Sequence, residues 1–172
     1  MITLTLPDGA TREFEAPLDG LAFATSISKS LAKKALALKL NGEVVDLATV
    51  IEADADIAVI TAADADGVDL LRHDCAHVLA EAVQELFPET QVTIGPVIKD
   101  GFYYDFARET PFSLDDLEAI EQRMRDIVDR NEDIVREVWN RDEAVAHFTE
   151  IGEVYKAEII ASIPGDQPIT IY

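Results

Sequence analysis

A six-residue interruption, Ala62-Ala63-Asp64-Ala65-Asp66-Gly67, limits the fold of this chain more than any other feature. It is small, acidic and free of apolar periodicity, so the stretches on either side each have to bury their own apolar face. With 172 residues, 48% of them apolar, the chain holds enough material for one substantial core or two small ones, and the interruption favours two. The expected layout is a first domain over residues 1–62, a linker over 63–67 and a second domain over 68–172.

In the first stretch, Ile2 to Leu6 alternates with period two, Pro7-Asp8-Gly9 is a turn, and Thr11 to Ala16 returns as a second strand. Leu21 to Lys34 has helical spacing at Phe23, Ile27 and Leu31, with Lys33-Lys34 suited to a last turn. Ala35 to Leu40 then meets the hairpin signal Asn41-Gly42 before Glu43-Val44-Val45, and Asp56 to Thr61 supplies a further strand. Strands around one helix point to α+β packing.

In the second stretch a helix is expected over Leu70 to Phe87, with Leu71, Cys75, Val78, Leu79, Ala82 and Leu86 on its apolar face and Pro88 after its end. Gln91 to Ile98 and Phe102 to Phe106 read as strands around Lys99-Asp100-Gly101. Ser113 caps a helix with the stripe Leu117, Ile120, Met124, Ile127 and Val128. Asp133 to Val138 reads as a strand, Asn140 caps a helix through Phe148, Gly152 opens another, and Ile169 to Tyr172 is extended.

The formal charge of −20 argues against nucleic acid when taken alone, because phosphate is normally met by basic surface. The acidity is dispersed along the whole chain, which is the pattern of solvated surfaces and leaves room for a local basic groove. Met1 leads straight into a strand, and no run of about 18 apolar residues follows, so a cytoplasmic protein with no membrane partner is expected. Cys75, the single cysteine, excludes an internal disulfide and a multi-thiolate zinc site. It lies on the apolar face and reads as a small buried hydrophobe.

Chemistry is most legible on the other face of the Leu70 helix. His73 and His77 are four apart and therefore neighbours, able to present two imidazoles to one ligand or metal. From spacing alone, surface or packing histidines are the favoured reading. Helical phase turns both roughly 150° to 180° from the apolar centre, so a core role is disfavoured, and Ala80 and Gln84 share their side. His147 has no second histidine at ligand spacing and reads as structural.

Two segments carry a resemblance. Arg72-His73-Asp74-Cys75-Ala76-His77-Val78-Leu79-Ala80, followed by Gly95-Pro96-Val97-Ile98-Lys99-Asp100-Gly101-Phe102-Tyr103-Tyr104-Asp105-Phe106, resembles bacterial threonyl-tRNA synthetases. Met1 to about Ala62 is similar to the TGS domain at the front of those enzymes, with Asn41-Gly42 and Asp54-Ala55-Asp56-Ile57 where its short motifs belong. The resemblance implies a ubiquitin-like β-grasp domain followed by an α/β editing domain, with mainly antiparallel sheet and packed helices. It implies hydrolysis of serine from mischarged threonine-specific tRNA, with His73, His77, Tyr104 and Lys156 as the editing residues. On the bare sequence, Tyr104 also reads as a core aromatic and Lys156 as a solvated lysine.

The family continues with a Cys-x-x-x-His motif, an ATP-using core and an anticodon-binding domain, none of which occurs before Tyr172. The chain is therefore expected to be the front of a threonine-tRNA ligase, weak or inactive in editing by itself and unable to aminoacylate. No cofactor is expected here, with ATP, magnesium and zinc confined to the absent core. Threonine tRNA is the expected partner, DNA is not, and a homodimer is expected only through that core. Two alternatives stand beside this reading: a noncatalytic RNA- or protein-binding module, and a metal-dependent hydrolase built on the two histidines.

Overall fold

The computed structural model describes residues 1–172 except Asp133, Asp166 and Tyr172. The chain forms two compact units, Met1–Arg72 and His73–Tyr172. Its sheets are mainly antiparallel and are mixed with helices.

The first unit runs β1 (Ile2–Thr5), β2 (Thr11–Phe14), β3 (Leu18–Asp19), α1 (Gly20–Ile27), α2 (Lys29–Ala32), β4 (Ala35–Leu40), β5 (Glu43–Val45), β6 (Val50–Ile51) and β7 (Ala55–Thr61). Five strands form one sheet in the order β2-β1-β7-β4-β5, parallel only between β1 and β7, while β3 and β6 pair separately. The inward residues Ile2, Leu4, Leu38 and Ile57 meet Phe23 from α1 in a buried cluster, as period-two alternation requires. Asn41 and Gly42 both take positive φ, 49° and 90°, which gives the β4–β5 hairpin a tight turn. The single helix expected over 21–34 is divided at Ser28, whose backbone is extended and whose Oγ accepts the Leu31 N–H, so that it caps α2.

Helix α3 spans Ala65–Leu86 and so begins five residues before the expected Leu70. Residues 65–67, expected in the linker, belong to its first turn. Asp64 makes this possible: its carboxylate accepts from the Thr61 N–H and hydroxyl, and its carbonyl accepts the Val68 N–H at 2.9 Å. Gly67 lies so close to the Thr61 carbonyl that any Cβ there would overlap it. Small residues thus serve a close helix–strand approach as well as a boundary. Leu71, expected on the buried face, is exposed, whereas Ala76, Ala80 and Val83 are buried.

The second unit continues with β8 (Gln91–Val92), β9 (Val97–Ile98), β10 (Gly101–Phe102), β11 (Phe106–Ala107), α4 (Leu114–Arg130), β12 (Glu137–Trp139), α5 (Arg141–Glu150), α6 (Val154–Ser162) and β13 (Ile169–Ile171). The pairs β8–β11, β9–β10 and β12–β13 are all antiparallel. The two longer strands expected over 91–98 and 102–106 are one irregular hairpin, interrupted where Pro96 offers no N–H and Gly95 meets the Tyr104 ring. Of the strand expected from Asp133, the paired part is Glu137–Trp139; Asp133 itself lies outside the described residues, as does Tyr172 after β13.

Two cores hold this unit. Ala82 and Val83 of α3 pack with Ile120 and Ile127 of α4, and Ala144, Ile160 and Ile169 join α5, α6 and β13. Leu117 and Val128, expected in the α4 stripe, are exposed. Arg141 fixes the end of α6: its guanidinium donates to the carbonyls of Ile160, Ile163 and Pro164 at 2.6 to 2.7 Å, which satisfies acceptors that a helix C-terminus leaves open.

Candidate functional site

Four residues of α3 form a strip, and it changes character along its length. His73 and His77 are exposed, Ala80 is buried, and Gln84 is half-buried. The helical turn brings the two Nε2 atoms to 3.0 Å, with the rings edge to face at a centroid distance of 4.6 Å. One nitrogen has to donate and the other accept, so a single proton lies between them; two imidazolium rings would set donor against donor. His77 stays open to solvent on one side, yet desolvation on the other lowers its pKa below the ordinary imidazole value. The charges of His73 and Lys156 lower it further, while Asp74 opposes them.

Lys156 lies in the first turn of α6, its ammonium 5.6 Å from the centre of the Phe148 ring. Tyr104 stacks on Phe106 at 4.7 Å and backs onto Gly95, where a Cβ would overlap its ring. Burial raises the Tyr104 pKa above the usual phenol value, and the charge of Glu153 adds to the rise. Tyr104 makes no hydrogen bond to either histidine among the described residues. Glu153, whose charge adds to the rise at Tyr104, and Lys156, whose charge lowers the His77 pKa, both stand at the start of α6.

Sequence reasoning missed Glu153 and the part played by Gly95. Glu153 is one of two buried polar side chains among the described residues, 8% exposed, and accepts a hydrogen bond from the Gln84 amide. A signal existed: glutamate directly before a helix, where serine, threonine, aspartate or asparagine caps best, is a residue chosen for reach. Cys75 is partly buried on α3, and His147 lies edge-on to Trp139 and Phe148 at 5.1 and 5.3 Å, both consistent with packing. A surface depression along α4 is lined by Asp115, Glu118, Gln122 and Arg125 among others, with no imidazole or phenol in its lining. Among the described residues, no group of three or more His, Cys, Asp or Glu side chains is placed to hold a metal ion, and no helix is long and apolar enough to cross a membrane.

Residues 2–61 match the TGS domain family. Over all 172 residues the chain is 67% identical to the threonine–tRNA ligase of Parvibaculum lavamentivorans, of which it covers 26%. It is 60% identical over 173 aligned positions to that of Paramagnetospirillum magneticum, covering 27%, and 54% identical over 172 to that of Rickettsia canadensis, covering 27%. The chain thus spans about a quarter of the length of the curated relatives it matches, and the match falls in their N-terminal part.

Proposed function

The chain matches threonine–tRNA ligases over its whole length, and from that premise we propose that the histidine strip of its second unit is a hydrolytic editing site for serine esterified to threonine-specific tRNA. The observation that supports this most is the contact of His73 with His77, flanked by the charge of Lys156. Editing has a physical reason to exist: one methyl group separates threonine from serine, and a missing methylene gives only about 1 to 3 kcal/mol of discrimination in a synthetic site.

In this reading water attacks the ester carbonyl carbon, the bond from that carbon to the ribose oxygen breaks, and the ribose oxygen leaves with a proton. A neutral imidazole of the His73–His77 pair accepts the proton of the attacking water and returns it to the departing ribose oxygen. Lys156 stabilises the negative charge that develops on the carbonyl oxygen. Tyr104, whose phenol is protonated at neutral pH, donates a hydrogen bond at the edge of the site. Threonine tRNA is the partner, and the cytoplasm is the place of work. Residues 1–62 form a β-grasp TGS domain and 68–172 the editing domain. These residues supply no aminoacylation chemistry, and ATP, magnesium and zinc belong to a synthetase core beyond them.

The test is a titration with the amide analogue of serine joined to the 3′ position of adenosine, which cannot be hydrolysed, followed through the histidine ring resonances. Shifts at His73 and His77 with the serine analogue, and none with the threonine analogue, support the reading; shifts confined to other residues sink it. The net charge of −20 favours a second reading, a module that binds protein instead of RNA. Salt-sensitive affinity for threonine tRNA separates the two, because counterion release accompanies only the first. A metal-dependent hydrolase has less support, since His73 and His77 engage each other. Stoichiometric zinc, retained by the chain and lost on His73→Ala with His77→Ala, would bring that reading forward.

A further inference from the structure

From Gly20 to Gly42 the chain carries four lysines and no acidic residue, although acidic side chains outnumber basic ones 34 to 14 overall. Three of the four, Lys29, Lys33 and Lys34, gather on α2 and on the turn that leads from it into β4, and all three are exposed. The Lys33 N–H donates to the Lys29 carbonyl at 3.3 Å, so these two lysines stand one helical turn apart on the same face. Leu31 and Ala32 are the half-buried positions of α2, and Ser30 adds an exposed hydroxyl with no hydrogen-bond partner among the described residues. Lys39, Arg72, Arg123, Arg125 and Arg130 each hold a carboxylate at 2.5 to 3.2 Å, whereas Lys29, Lys33 and Lys34 form no ion pair among the described residues. Like charges one turn apart repel. A chain with acidic residues to spare leaves that repulsion uncompensated, and an anion from outside relieves it.

We infer that Lys29, Lys33 and Lys34, with the Ser30 hydroxyl, form a phosphate-binding surface of the first unit that engages the backbone of the tRNA partner. Ammonium groups are compact point charges with three donors each, and lysines at this separation meet successive phosphates of one strand. The net charge of −20 does not cancel the surface, because at physiological salt charges more than about 8 Å away are largely screened. The exposed side chains of α2 are lysine and serine, with none of the aromatic or arginine anchors that centre a protein interface, which favours a nucleic acid over an acidic protein. Contacts of this kind orient the RNA and carry no sequence information, so selectivity stays with the acyl group. The choice of tRNA as occupant rests on the partner of the editing reading; the cationic surface does not.

The test measures the affinity of the full natural chain for uncharged threonine tRNA across a salt series. One variant combines Lys29→Gln, Lys33→Gln and Lys34→Gln, and a second places arginine at the same three positions. A third removes equal charge elsewhere, through Arg12→Gln, Arg125→Gln and Arg136→Gln, all exposed. The glutamine variant is expected to lose about tenfold in affinity at about 0.1 M salt, with a salt dependence shallower by about two to three in log–log slope. The arginine variant keeps both the affinity and the slope, and the Arg12 set loses less than about threefold, since its charges lie off the surface. An unchanged affinity or slope in the glutamine variant overturns the inference, as does an equal loss in the Arg12 set, which would make net charge the cause. Loss of an acidic protein partner with tRNA affinity intact assigns the surface to protein and overturns it as well. Hydrolysis of seryl-tRNA at saturating tRNA is expected to keep its kcat in the glutamine variant. If the unaltered chain hydrolyses no seryl-tRNA, the editing reading falls, and the salt series still decides the surface.

Discussion

His73 and His77 are the two ends of one hydrogen bond, in which one ring donates and the other accepts. The lowered pKa of His77 has a consequence for stability. Between its folded pKa and the unfolded value near 6.5, the unfolded chain binds more protons, so stability rises with pH through that window and is lost as pH falls through it toward the folded pKa. Proton NMR of the ring is expected to find His77 titrating below a free imidazole, and Lys156→Met is expected to move it upward; a His77 titration unaffected by Lys156→Met contradicts the placement of that cation. Gly95 gives a second test at this scale. Gly95→Ala drives a methyl group into the Tyr104 ring and is expected to cost about 1 to 3 kcal/mol in denaturant unfolding, the usual range for overpacking, with Tyr104 displaced. The histidine strip was legible in the sequence because helical phase is a local property. Glu153 was not, because its partner Gln84 lies 69 residues away and only the fold brings them together.

Helix α4 shows what local chemistry settles by itself. Ser113 and Asp116 form a reciprocal capping box, and Asn131 ends the helix in the left-handed region at φ 48°. Ser113→Ala is expected to lower stability by about 1 kcal/mol, measured by thermal or denaturant unfolding, with the fold kept; no change would show that the box adds nothing here. The start of α4 was readable for this reason, and so was the Asn41-Gly42 hairpin. The division at Ser28 was not, because Phe23, Ile27 and Leu31 keep helical spacing across it while the serine side chain competes for the backbone. The start of α3 was misread for a related reason: Asp64 engages Thr61 of β7, and the small residues after it look like a loop until that strand is in place. The short strands β3 and β6, two residues each, carry no pattern long enough to find.

For the molecule as a whole, a charge of −20 sets the terms on which the proposed tRNA partner would be met. Dispersed acidity predicts weak attraction at long range, so recognition has to come from the esterified amino acid and the terminal adenosine more than from phosphate. The account therefore makes the acyl group, rather than the tRNA body, the source of selectivity. Hydrolysis of seryl-tRNA and threonyl-tRNA, both carried on threonine-specific tRNA, tests this most directly, measured with the full natural chain and with its His73→Ala variant. The account predicts selective loss of serine that disappears in the variant; equal hydrolysis of the two esters, or serine loss untouched by His73→Ala, would contradict it.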